Sequence, residues 1–296
     1  MMNTLLQAAP HVRLQRGKIV VVKIGGSSLA KRRHLDAFVD QLSTVHALGA
    51  RPVVVHGGGP QADALMERLG EAPKMVDGRR VTTPAALEAV RMAIAGSVNG
   101  ELAAALSAAG ASAVGICAAS GGLVRARRRP PIGTSEGTTD FGLVGEIESI
   151  DPTSLHALLD AGQVPVVCPP VGDGDGGFLN LNADTLAARL AAALGAAKLV
   201  LVTGAAGVLR DPADPHSVVS VLTLAELRAL GEAGSYEAGM RVKATAIEGA
   251  LSDGVDAVHV IGGKDPQALL VELYTNHGAG TMITRDGQAA LQEAGA

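Results

Sequence analysis

Two stretches, Val20-Val21-Val22-Lys23-Ile24-Gly25-Gly26 and Val53-Val54-Val55-His56-Gly57-Gly58-Gly59, share one form: a β-branched run that ends in consecutive glycines. The valines predict a buried strand. The glycines let backbone N–H groups approach an anion, and the helix-like segment after each loop adds a favourable dipole. Two such loops point to a phosphate group as ligand. Lys23 sharpens this, because a cation two residues before a glycine turn sits where a strand ends and a ligand begins. Neither loop is a Walker A sequence, and neither is a GxGxxG. Each loop alone is more often an ordinary tight βα turn.

Working outward, strand-like and helix-like runs alternate. Ile19 to Lys23, Arg51 to His56, Ala113 to Cys117, Val164 to Cys168, Leu199 to Thr203 and Val255 to Ile261 read as strands. Leu35 to Leu48, Gln61 to Leu69, Gly96 to Ala108, Ala183 to Leu194, Leu224 to Leu230 and Lys243 to Ser252 read as helices. This rhythm predicts an α/β fold with a mostly parallel sheet covered by helices on both faces, and a ligand at the carboxyl ends of the strands. Arg125 to Asp140 interrupts it as an expected loop or hairpin insertion, and Gly172 to Gly177 must turn. Residues 1–17 predict a short amphipathic helix with Leu5, Leu6 and Val12 apolar, and residues 287–296 a frayed tail.

The chain has 296 residues, 47% of them hydrophobic, with no Trp, two Tyr and three Phe, so its core is built from Val, Leu, Ile and Ala. A net charge of −4 with mixed signs argues against a nucleic-acid partner. The one basic cluster, Arg125 to Arg129, reads as a solvated loop. Cys117 and Cys168 lie far apart in sequence without metal-ligand spacing and read as reduced core residues. No secretory or membrane-spanning segment is visible, so a cytoplasmic protein without a membrane partner is expected.

Three further segments carry chemistry. Asn180-Leu181-Asn182-Ala183-Asp184 opens an Ala-rich helix, where Asn and Asp are also ordinary N-caps. Gly239-Met240-Arg241-Val242-Lys243 starts another helix, with Lys243 on its first turns. Asp77-Gly78-Arg79-Arg80-Val81-Thr82 places arginine beside a turn, suited to bidentate carboxylate recognition.

In this order KIGGS, VVVHGGGPQ, DGRRVT, FGLVGEIESI, LNLNADTLA and GMRVKA resemble the amino acid kinase family, over about Leu5 to Ile283. Within it, the likeness is to members that phosphorylate N-acetyl-L-glutamate in L-arginine biosynthesis. The resemblance implies a three-layer αβα sandwich. Residues 1–17 form a helical extension, 18–195 an acceptor-binding and dimerising lobe, and 196–296 an ATP-binding lobe.

It implies that Lys23 and Lys243 stabilise the transferring phosphoryl group and that Asp184 orients both. Arg80, Asn180, Asn182, Gly58 and Gly59 would hold the acceptor. Gly25, Gly26, Gly57, Gly204, Gly207, Glu237, Gly239 and Met240 would serve ATP, whose Mg2+ arrives with the nucleotide because no dedicated carboxylate cage is visible. The extension is similar to that of arginine-inhibited hexameric members, which leaves homodimer against hexamer, and L-arginine as inhibitor, open. Relatives commonly have tyrosine where His11 stands and histidine where Gln267 stands. This chain departs from the TDxxGV pattern at Thr203-Gly204-Ala205-Ala206-Gly207-Val208. It also carries Ala118, Ala119 and Ser120 where many relatives have Gly-Lys-Asp. Alternatives are an N-succinylglutamate kinase and a non-catalytic amino-acid or nucleotide sensor. A dinucleotide enzyme lacks its fingerprint.

Overall fold

Eight strands form the central sheet, and its central ones are short β-branched runs covered on both faces. The eight are β1 (Ile19–Ile24), β2 (Arg51–His56), β3 (Ala113–Cys117), β4 (Val164–Cys168), β5 (Lys198–Thr203), β6 (Val221–Thr223), β7 (Ala257–Gly262) and β8 (Gly280–Thr284), in the spatial order β6-β8-β7-β5-β1-β2-β4-β3. The computed structural model describes residues 2–234, 236 and 238–286. All neighbouring pairs are parallel except β7 with β8.

The two faces of the sheet build two cores. Val20, Val22 and Val54 face one layer with Phe38 and Leu42 of the Arg32–Ala47 helix and Leu102 of the Asn99–Ala108 helix. Val21, Val53 and Val55 face the other, with Leu186 and Ala187 of the Ala183–Ala193 helix and Ile247 of the Ala238–Ser252 helix. Side chains alternate along a strand, so Lys23 shares the face of Val21 and reaches toward the start of the Ala183–Ala193 helix. Each fully buried valine contributes about 1.5 kcal/mol or more of transfer free energy to this scaffold. The arrangement is the expected three-layer αβα sandwich.

The N-terminal segment is helical over Met2–Gln15 and packs against the Ala268–Tyr274 helix, with Val12 against the core. Side chains at Leu5 and Leu6, and the tail at 287–296, lie outside the described residues. The proposed lobe boundary at 195 falls in the turn between the Ala183–Ala193 helix and β5.

Two expectations need correction. Arg125 to Arg128 is no loop: it belongs to the strand Val124–Arg128, in a second sheet with Gly145–Ile150, Val171–Gly172 and Phe178–Leu179. The run reads as solvated loop because its acidic partners lie on other segments: Arg127 pairs with Glu146 at 3.0 Å, Arg128 with Asp140 at 2.9 Å, and Arg125 faces Glu148. The insertion shrinks to the hairpin Ile132–Thr134 and Gly137–Thr139. Secondly, the helix expected from Gly96 is preceded by a π-helical stretch, Arg91–Val98, that runs into Asn99–Ala108. Cys117 and Cys168 are free thiols, Cys168 buried and Cys117 half-buried; distant in sequence, they are register partners on β3 and β4, and the Cys117 thiol donates to the Pro170 carbonyl at 3.0 Å.

Candidate active site

The two glycine loops meet. A Cβ on Gly26 would lie 2.8 Å from Gly58 Cα and 3.0 Å from Gly59 N, so position 26 tolerates no side chain at this contact. Gly57 N–H donates to the Ile24 carbonyl at 3.0 Å, and Gln61 Nε2 donates to the Gly26 carbonyl at 2.9 Å. Backbone approach of this closeness explains glycine at position 26.

Behind the loops stands a charged triad. Lys23 Nζ lies 2.7 Å from one Asp184 oxygen and Lys243 Nζ lies 3.2 Å from the other. Asp184 is buried at the second position of the Ala183–Ala193 helix, whose N-cap is Asn182; the Asn182 Oδ1 accepts from the Asp184 and Thr185 amides at 2.8 and 3.0 Å. The helix N-terminus also favours the carboxylate. Burial alone would push the Asp184 carboxyl up, but the two lysines outweigh it and hold the carboxyl below its ordinary range. Burial pulls Lys23 below the usual lysine value, Asp184 opposes this, and Lys243 adds to the lowering. Two cations share one anion, leaving an excess positive charge at the mouth of a cavity of about 270 Å³.

On the other side of that cavity is Arg80, from the strand Arg79–Val81, in an ion pair with Asp63 of the Gly59–Arg68 helix. Its Nη2 also lies 3.4 Å from the Gly59 carbonyl. Asn180 Nδ2 donates to Thr82 Oγ1 at 3.2 Å. The structure thus brings Lys23, Gly25, Gly26, Gly57, Gly58, Gly59, Arg80, Asn180, Asn182 and Asp184 around one space, and Lys243 reaches it through Asp184. Asn182 uses its side-chain oxygen as a helix cap, the plainer of its two readings. Among the described residues, Gly204, Gly207, Gly239 and Met240 do not line this cavity. Gly204 follows β5 with open space around it. Gly207 is required by packing, since a Cβ there would meet Thr281 Oγ1 at 2.7 Å. Met240 packs on the core. Glu237 lies outside the described residues.

Reading the sequence missed Asp63, which orients Arg80, and Arg79 and Arg129, which line the same cavity. The Arg129 guanidinium is pulled below its ordinary value by burial first and by Arg79 second. Two arginines on segments far apart in sequence give no signal until the hairpin and the second sheet are placed.

Two lysines meet one buried carboxylate beside two glycine loops, and residues 18–262 match the Amino acid kinase family. The chain belongs to that family. It is 42% identical to the acetylglutamate kinase of Myxococcus xanthus (strain DK1622), over 99% of this chain and 97% of that protein. To the acetylglutamate kinase of Synechococcus sp. (strain JA-2-3B'a(2-13)) it is 39% identical, over 94% of this chain and 87% of that one. Among solved structures, N-acetylglutamate synthase from Neisseria gonorrhoeae, complexed with coenzyme A and N-acetyl-glutamate, is similar with a TM-score of 0.84 and 30% identity. The match covers 97% of this chain and 64% of the synthase chain. The same synthase complexed with coenzyme A and L-arginine gives a TM-score of 0.79 at 28% identity, over 97% of this chain and 66% of that one.

Among the described residues no group of three or more His, Cys, Asp or Glu side chains gathers to hold a metal, and no helix is long and apolar enough to cross a membrane.

Proposed function

We propose that the chain is an ATP-dependent kinase that phosphorylates the γ-carboxylate of N-acetyl-L-glutamate, giving N-acetyl-L-glutamyl 5-phosphate and ADP for L-arginine biosynthesis. The observation that carries this reading is the bridge of Lys23 and Lys243 by Asp184 beside the Gly25-Gly26 and Gly57-Gly58-Gly59 loops. A γ-carboxylate is ionised at neutral pH, so its oxygen attacks the γ-phosphorus without a general base. One O–P bond forms, the bond from the γ-phosphorus to the β,γ-bridging oxygen breaks, and ADP keeps the electron pair. The obstacle is the approach of two anions. Lys23 and Lys243 offset the charge on the equatorial oxygens, and the loop amides face them. Asp184 has both oxygens engaged by lysines, so it is a lysine holder here; magnesium arrives as part of the MgATP substrate.

Arg80 clamps the acceptor's α-carboxylate. Its fork is oriented by Asp63, which leaves the remaining guanidinium N–H groups for the ligand. Arg80→Lys raises the KM for N-acetyl-L-glutamate by about tenfold to a hundredfold, with a smaller effect on kcat, because a point charge replaces a bidentate fork on a group far from the reacting centre. Initial-rate kinetics read this; an unchanged acceptor KM places the α-carboxylate elsewhere.

L-Arginine is the effector in this reading. A second cavity of about 170 Å³ is lined by His11 of the Met2–Gln15 helix and by the buried pair His259 and Glu272. His259 Nδ1 lies 2.6 Å from one Glu272 oxygen, and the Ala279 and Gly280 amides donate to the other. Gln267, expected near this site, precedes the Ala268–Tyr274 helix and does not line the cavity.

ATP-dependent formation of acyl hydroxamate tests both parts. N-Acetyl-L-glutamate yields product, N-succinylglutamate and free glutamate yield little, and L-arginine lowers the rate. No product from any acceptor overturns the kinase; product insensitive to arginine overturns only the effector.

A further inference from the structure

His56 ends β2 immediately before the Gly57-Gly58-Gly59 loop, and it is fully buried. Nothing in the chemistry above uses it. Its imidazole nevertheless has two defined partners. Nδ1 lies 2.9 Å from the Gly57 carbonyl oxygen, and Nε2 lies 2.9 Å from Nδ2 of Asn99. The same Asn99 amide donates to the Val166 carbonyl of β4 at 2.8 Å. An amide nitrogen can only donate, so Nε2 accepts, the ring proton sits on Nδ1, and Nδ1 donates to Gly57. Burial pushes the His56 pKa down to about 4, which keeps the ring neutral and the tautomer defined at neutral pH.

The consequence lies in one peptide plane. The Gly57 carbonyl and the Gly58 N–H belong to the same trans peptide and point in opposite directions. Holding the carbonyl down on His56, on the buried side of the sheet, turns the Gly58 N–H toward the cavity that Gly58 and Lys23 line. Among the described residues that N–H has no acceptor within the fold. Packing supports the same orientation: a Cβ on Gly58 would lie 2.8 Å from Ile94 Cγ1, and one on Gly115 would collide with Asn99 Oδ1, so both glycines make room for this arrangement. Ile94 belongs to the π-helical stretch that delivers Asn99. Such stretches cluster at functional sites.

We propose that His56 and Asn99 are positioning residues for phosphoryl transfer: the chain Val166, Asn99, His56, Gly57 fixes the peptide whose Gly58 N–H stabilises charge on the moving phosphoryl group. The inference rests on the kinase reading, and the wild-type rate in the same assay separates failure of one from failure of the other.

The experiment measures kcat and KM for both substrates in wild type, His56→Ala, Asn99→Ala, the double variant and His56→Asn, with thermal midpoints in parallel. Asparagine can place an N–H where Nδ1 stood. A single lost charge-stabilising donor costs about 10²–10³ in kcat, so a misaimed one predicts a fall of about thirtyfold to a hundredfold for His56→Ala, with each KM within about threefold. The double variant is no worse than His56→Ala within about threefold, because both changes break one chain. His56→Asn recovers about tenfold over His56→Ala, which loss of packing alone would not produce. Should His56→Ala fail to fold, His56→Leu takes its place in the comparison with His56→Asn. A kcat within about threefold of wild type, a loss carried by KM, multiplicative effects in the double variant, or no recovery in His56→Asn each overturns the proposal. An inactive wild type overturns the kinase reading beneath it.

Discussion

Lys23→Ala lowers kcat by about three orders of magnitude and leaves the KM for ATP within several-fold, since a preorganised charge that acts on the transition state costs turnover when removed. Lys23 is placed for this by strand geometry: it shares the face of Val21 and meets Asp184 at 2.7 Å. Truncation also leaves Asp184 with Lys243 alone, at 3.2 Å and on a helix whose side chain there is 23% exposed. Breaking a buried pair costs about 3–5 kcal/mol when the remaining charge is stranded; Lys243 keeps Asp184 from being stranded, so the loss of stability falls below that range. Steady-state assay of hydroxamate, with a thermal denaturation curve, separates the two effects. A variant that turns over within about tenfold of wild type while folded removes Lys23 from the transition state.

Much of this arrangement was legible in the chain itself. Val20 to Gly26 and Val53 to Gly59 announce strand, cation and anion loop because buried parallel strands need β-branched residues on both faces and close backbone contacts need glycine. Asp184 was visible as a carboxylate two residues past the cap Asn182. What could not be read was pairing across long separations. Asp63 is an ordinary helix residue until the Lys74–Val76 and Arg79–Val81 hairpin places Arg80 against it. Arg125 to Arg128 looks like a solvated run until Glu146, Glu148 and Asp140 come alongside. Asn99 follows the Arg91–Val98 stretch, where five-residue hydrogen-bond spacing shifts the faces that a 3.6-residue period predicts, so its aim at His56 has no periodic signature. The hidden features share one cause: each is a polar contact between segments that only the packed sheet brings together.

Asp184→Asn abolishes most turnover by a different route and changes the acid limb of stability as well. With the carboxylate gone, Lys23 and Lys243 face one another without their shared anion, and like charges at a buried site repel strongly. Lys23 then loses its proton or swings from the cavity, and kcat falls by about a hundredfold to a thousandfold although both lysines remain in the chain. The accompanying loss of stability at neutral pH is about 3 kcal/mol or more, because two ammonium groups lose their partner. The pH dependence supplies an independent check. Despite its burial, the Asp184 carboxyl lies below its ordinary value when folded, held there by Lys23 and Lys243. A depressed carboxyl contributes stability that is fully present above the unfolded value of about 3.9 and is lost as pH falls from there through the folded value. Wild type therefore loses this contribution on acidification below about pH 4, whereas Asp184→Asn, already lacking it, shows a shallower decline over the same interval. Denaturant midpoints collected between neutral pH and strongly acidic solution measure the difference. Parallel curves for the two proteins would mean that Asp184 is not held ionised by the lysines, and its role in aiming them at the phosphoryl group would fall with it.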